Sequence, residues 1–161
     1  MTDSTEALYT ATAVNRTGAT GESAVVDGLR VAVRSPLAPP DPGGTASVRV
    51  AARDDRASED ATNPEELLAL AWATCLGASA RVVAGDDREV GVRVVVELHR
   101  ASPGPGYEFR PRAFIAFADT SDDEAAALAV AAHERCPVSK LLSGRSEAIV
   151  VAEPYGVHER D

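Results

Sequence analysis

Two residues stand out in this 161-residue chain as able to do covalent chemistry: Cys75 and Cys136. A cysteine thiolate is a nucleophile, a metal ligand and a redox group. Cys75 sits inside the apolar run Trp72-Ala73-Thr74-Cys75-Leu76, and Cys136 opens Cys136-Pro137-Val138-Ser139. The pair is not Cys-x-x-Cys, which excludes a thioredoxin-like motif and a zinc knuckle. His99, His133 and His158 are scattered and complete no metal-ligand spacing, so no metal and no cofactor is expected. His133 lies three residues before Cys136, close enough to approach it, although a solvent-facing helical position is the simpler account. The plain reading of both cysteines is as small buried hydrophobes. In a reducing compartment, a pair of thiols is redox-active or inert rather than a structural disulfide.

The elements that must hold these residues are legible in outline. Leu8 to Val14 is rich in β-branched residues, Gly18 to Gly21 is a turn, and Ser23 to Val26 and Leu29 to Val33 follow as strands of an antiparallel meander. Four prolines and two glycines between residues 35 and 46 demand a loop. Ser47 to Ala52 could form a short strand. Residues 36–61 are expected as a loop-rich insertion at the pocket mouth, and residues 1–7 as a disordered tail. Thr62-Asn63-Pro64-Glu65-Glu66 is a helix start: Asn63 suits the cap, Pro64 the first turn, and the two carboxylates the positive end of the dipole. From Leu67 to about Ala84 the helix is apolar nearly all round, which predicts a central, buried position. Gly91 to Ala101 and Tyr107 to Ala118 read as two strands. Ser121-Asp122-Asp123-Glu124 caps a second helix that runs to about Arg135. A short helical turn to Leu142 and a last strand over Ala148 to Val151 complete an α+β pattern in one domain spanning 1–161.

Composition narrows the partners. The net charge is -9, with 25 acidic against 16 basic residues, and no basic run offers a face for phosphates. Nucleic acid and anionic membrane surfaces are therefore not expected partners. Residues Leu67 to Ala80 form the longest apolar stretch, shorter than the roughly 20 residues of a membrane span. The acidic start of the chain lacks the features of a secretory signal. A soluble, cytoplasmic protein is expected.

The run Thr62-Asn63-Pro64-Glu65-Glu66-Leu67, followed by Ala73-Thr74-Cys75, resembles the signature of the organic-hydroperoxide-resistance/osmotically-induced family (Ohr/OsmC). Cys136-Pro137-Val138-Ser139 is similar to that family's second cysteine segment, and Leu8-Tyr9-Thr10-Ala11-Thr12-Ala13 to the start of its Ohr branch. The resemblance implies an intertwined homodimer with antiparallel sheets around a central buried helix. It implies a thiol peroxidase for organic hydroperoxides: Cys75 attacks the peroxide and becomes a sulfenic acid, and Cys136 then condenses with it to a disulfide. A dithiol reductant, in the Ohr branch a lipoylated protein, reopens the disulfide by exchange. It also implies that Glu65 holds an arginine that activates Cys75. Glu65 and Cys75 are ten residues apart, ~15 Å along one straight helix. Glu65 must then serve Cys75 from a partner chain or through a long arginine.

The resemblance thins at that arginine. The family places it in the first β-turn, whereas Gly18-Ala19-Thr20-Gly21 carries none. Arg16 is the nearest candidate, with a solvent-exposed turn residue as its plain reading. Arg49, Arg53 and Arg56 are more distant ones. Trp72 is a candidate for lining an apolar pocket or for ordinary core packing. Two other functions stand beside the peroxidase: an OsmC-like non-peroxidase binding or redox-sensing protein, and a purely structural dimer.

Overall fold

The computed structural model describes residues 7–37, 61–85 and 87–154. These fall into two compact units, one within Met1–Pro64 and the other Glu65–Pro154.

The first unit holds a four-stranded sheet. Strands β1 (Ala13–Asn15), β2 (Thr20–Val25) and β3 (Arg30–Arg34) form the expected antiparallel meander, and β4 (Ala61–Thr62) adds in parallel to β3. The first turn is tied by Asn15. Its Oδ1 accepts from Gly18 N at 2.7 Å, and its Nδ2 donates to Gly18 O at 2.9 Å and to Ser23 Oγ at 2.7 Å. Gly18 and Gly21 both have positive φ, 69° and 91°, a backbone region that glycine enters without a Cβ penalty. The turn therefore sits slightly earlier than the sequence suggests, and Thr20–Gly21 already belong to β2. Leu8 to Thr12 do not form a strand in this chain, and Leu8 and Tyr9 are exposed. The strand expected over Ser47 to Ala52 lies outside the described residues.

The second unit carries the helices. Helix α1 (Pro64–Ala84) starts at the Asn-Pro-Glu-Glu signal. Strands β5 (Val90–Arg100) and β6 (Tyr107–Phe117) pair antiparallel over their full length, from Val90 with Phe117 to Arg100 with Tyr107. Alternate residues along a strand share a face. Val90, Val92 and Val94 thus lie beside Phe117, Ile115 and Ala113 and turn toward the core. Helix α2 (Asp122–Arg135) opens at Ser121, whose hydroxyl accepts from Glu124 N at 3.3 Å, and α3 (Pro137–Leu142) follows after Cys136. The core gathers Trp72, Leu76 and Ala80 of α1, Phe117 of β6, Ala132 of α2, and Cys136.

One expectation gains detail and one needs correction. Helix α1 is the core helix, as expected, and within one chain it buries one stripe, Trp72, Leu76, Ser79 and Ala80; Leu70 and Val82 are 65% and 58% exposed. The two-stranded ribbon and the two shorter helices of this unit cover only one side of a 21-residue helix. Ala148 to Val151 form no strand, and Ile149, Val150 and Val151 stand exposed. Their β-branched side chains favour extended structure, but a strand exists only where a neighbour supplies hydrogen bonds.

Leu76 is 1% exposed at the centre of this core. Leu76→Ala should lower unfolding stability by about 2–5 kcal/mol, read as a fall in the urea midpoint.

Candidate active site

The two cysteines come together in the second unit. Cys75 projects from the middle of α1, partly exposed, and Cys136 lies between α2 and α3, fully buried. Both are free thiols, close enough for each to act on the other's ionisation. The local sequence explains the second position. Pro137 has no N–H to continue α2 and suits the first turn of the next helix. The chain therefore bends at Cys136, which takes extended backbone angles (φ -69°, ψ 120°) and caps α3, its Sγ accepting from Ser139 N at 3.4 Å.

The segment after Cys136 reaches back to α1. Ser139 is 0% exposed, and its Oγ accepts from Trp72 Nε1 at 2.8 Å. The Val138 backbone amide lies near the Cys75 sulfur and favours its thiolate. Trp72 is thus a core residue whose polar end is bound to the Cys136 segment, rather than a simple wall of a pocket. Composition gives no direct sign of this bond, although a buried indole N–H usually finds a partner.

The environments push the two thiols apart. Burial pushes the Cys75 thiol above its ordinary value. The Val138 amide draws it back in part, and the adjacent Cys136 adds to the rise. At Cys136 burial also acts upward, but the Ser139 hydroxyl and amide, the Cys75 thiol and the Val138 amide outweigh it and leave the thiol below its ordinary value. Among the described residues, no cation is one of the groups acting on Cys75.

Glu65 stands in the first turn of α1, ~15 Å along the axis from Cys75. Its Oε2 is buried and finds no hydrogen-bond partner among the described residues. A buried carboxylate oxygen without a donor is costly, and arginine answers it with a bidentate fork. Arg16 belongs to the first unit. It is exposed in the turn after β1 and lines a cleft of about 420 Å³ with Glu22, Asp27 and Arg30. Arg49, Arg53 and Arg56 lie outside the described residues. His133 is half-buried on α2, and His99 pairs with Glu97 at 3.2 Å. No cluster of three metal-ligating side chains forms among the described residues.

An α+β fold that closes two thiols against each other in its core defines a dithiol protein. The model of the OsmC-like protein family matches residues 57–150, and the chain belongs to that family. It is 33% identical over 142 residues to an organic hydroperoxide resistance protein-like protein of Mycoplasma pneumoniae, covering 84% of this chain and 87% of that one. It is 34% identical over 99 residues to the organic hydroperoxide resistance protein OhrA of Bacillus subtilis, covering 59% of this chain and 70% of that one. The crystal structure of OhrB of Bacillus subtilis superposes with a TM-score of 0.68 at 28% identity, covering 86% of this chain and 93% of that one. These structures share the antiparallel sheets and the central helix.

The groups around the two sulfurs favour the thiolate at Cys136 over that at Cys75. In a pH titration followed by thiolate absorbance, Cys136→Ser should abolish the lower-pH step, whereas Cys75→Ser should retain a step below the ordinary cysteine value. The reverse pattern would contradict the assignment.

Proposed function

We propose that the protein is a cysteine-based peroxidase that reduces organic hydroperoxides, fatty-acid or alkyl, to alcohols. The observation that carries this reading is the contact between the two thiols, one partly open and one enclosed, on a fold shared with organic hydroperoxide resistance proteins. The Cys75 thiolate attacks the distal peroxide oxygen, the O–O bond breaks, and the alcohol departs while Cys75 becomes a sulfenic acid. Cys136 then displaces hydroxide from that sulfur and closes a Cys75–Cys136 disulfide. A dithiol, such as a lipoyl group on a carrier protein, restores both thiols by exchange.

Activation of Cys75 requires a cation, because burial alone favours its neutral thiol. The unpaired Oε2 of Glu65 is the group suited to hold an arginine for this task, and Arg16 is the nearest candidate to the family's arginine position. The exposed apolar side of α1, with Leu70 and Val82, and the unpaired Ile149-Val150-Val151 support a homodimer in which a second copy covers them. A cytoplasmic setting suits a resting pair of free thiols.

The rise in the Cys75 thiol supports a second reading, an OsmC-like binding or redox-sensing protein without peroxidase activity. Stopped-flow oxidation of the reduced protein by cumene hydroperoxide and by hydrogen peroxide separates the two. The peroxidase reading expects fast oxidation that favours the organic peroxide. Cys75→Ser should abolish it, and Cys136→Ser should let it proceed but halt at the sulfenic acid. Glu65→Gln should slow the first step about tenfold or more at neutral pH, through loss of the stabilised thiolate. Oxidation no faster than a free thiol, and indifferent to Cys75, supports the sensing reading instead. For the dimer, sedimentation should show two copies for the native chain and a shift toward one for Leu70→Glu.

A further inference from the structure

Trp72 and Ser139 are enclosed, and the bond between their side chains joins the middle of α1 to the segment that carries Cys136. The indole N–H is a donor only, so at the 2.8 Å contact Ser139 Oγ must accept. The hydroxyl proton of Ser139 is then turned away from Trp72 and free to point at the nearby Cys136 sulfur, whose thiolate the hydroxyl favours. The Ser139 amide donates to the same sulfur at 3.4 Å. At 0% exposure, bulk water does not compete for either residue, Ser139 or Cys136.

We propose that Trp72 and Ser139 are positioning residues for the second cysteine. They form a donor chain, Trp72 Nε1–H to Ser139 Oγ–H to Cys136 Sγ, that makes Cys136 the sulfur which closes the disulfide and the sulfur which departs when it is reduced. The inference rests on the peroxidase reading for its reaction steps and extends it to residues outside the two thiols. In closure, the Cys136 thiolate attacks the Cys75 sulfenic sulfur. The S–S bond forms, the S–O bond breaks, and the oxygen leaves as hydroxide and takes up a proton to become water. In reduction, one thiolate of a dithiol reductant attacks Cys75, the more exposed sulfur. The S–S bond breaks with its electron pair going to Cys136. The second thiol of the reductant then displaces Cys75 and closes the reductant's own disulfide. A better-stabilised thiolate leaves faster, so the same two hydrogen bonds serve both halves of the cycle.

The surroundings of Cys136 isolate this effect. From α1 the titratable group in contact is Cys75; β5 and β6 present Val90, Val92, Ile115 and Phe117 to the core. On α2, Glu134 and Arg135 are exposed and His133 is half-buried, and on α3 Lys140 is exposed. None of these four is among the groups acting on the Cys136 thiol.

The test uses the full chain with Cys75→Ser, which leaves Cys136 as the only thiol. Its ionisation is followed by thiolate absorbance against pH, with Ser139→Ala and Trp72→Phe added separately. Ser139→Ala should raise the midpoint by about 1 pH unit, a tenfold loss of thiolate at a fixed lower pH. Trp72→Phe keeps a ring in the core and removes the N–H, and should shift the midpoint in the same direction. This variant keeps the test decisive if Ser139→Ala folds poorly. An unmoved midpoint in Ser139→Ala overturns the proposal, and an unmoved midpoint in Trp72→Phe overturns the part given to Trp72. No peroxide enters this measurement, so its failure is distinct from failure of the peroxidase reading. In the two-cysteine protein, disulfide closure can be followed by the fluorescence of Trp72, the only Trp of the chain. Ser139→Ala should slow closure about tenfold at neutral pH and recover at alkaline pH, where Cys136 ionises unaided. Slowing by one factor at every pH would mark a merely structural role and overturn the proposal.

Discussion

Two thiols that touch in an apolar core have little room for two negative charges. Loss of the first proton raises the cost of losing the second, because like charges in a poorly screened site repel. The pair therefore shares one favoured thiolate, and the hydrogen bonds around it decide which sulfur carries it. Here the donors from Ser139 and Val138 gather at Cys136, whereas Cys75 receives the Val138 amide against a larger effect of burial. The fold of the second unit serves this arrangement. Helix α1 brings Cys75 and Trp72 to one side, Pro137 breaks the chain so that Cys136 faces them, and the β5–β6 ribbon closes the apolar floor.

The same constraint explains why a nucleophile at Cys75 asks for something more. A thiol raised by burial is a poor nucleophile at neutral pH until a positive charge or further donors reach it. Glu65, on the same helix but too distant to act directly, has a buried oxygen without a donor among the described residues, which is where the proposed arginine would bind. In this light the exposed side of α1 and the uncovered Ile149-Val150-Val151 belong to one question: what completes the surfaces that a single chain leaves open. In the proposed homodimer a second copy supplies that cover.

Much of this was readable from the residues. The start of α1 at Pro64, the paired strands β5 and β6, the Ser121 cap and the break at Cys136 all follow from local signals: proline geometry, capping hydroxyls and alternation. The two cysteine segments, through their resemblance to the Ohr/OsmC family, also pointed to each other. The turn after β1 starts earlier than its glycines indicate, because Asn15, not Gly18 alone, organises it through hydrogen bonds to Gly18 and Ser23. The apolar pattern of α1 marks it as the core helix, but it states what the chain could bury and not which side one chain covers.

By itself, the sequence determined where the helices and the β5 and β6 strands begin and end, which two residues could do thiol chemistry, and the family that joins them. Those properties depend on short-range sterics, capping and pattern, which neighbours along the chain decide. Only the tertiary structure decided that Trp72 binds Ser139, that the hydrogen bonds favour the thiolate on Cys136, and that Glu65 keeps an unpaired oxygen. Each depends on groups far apart in the chain meeting at hydrogen-bond distance, or failing to, out of water. Energies of that kind come from the packing that brings the groups together.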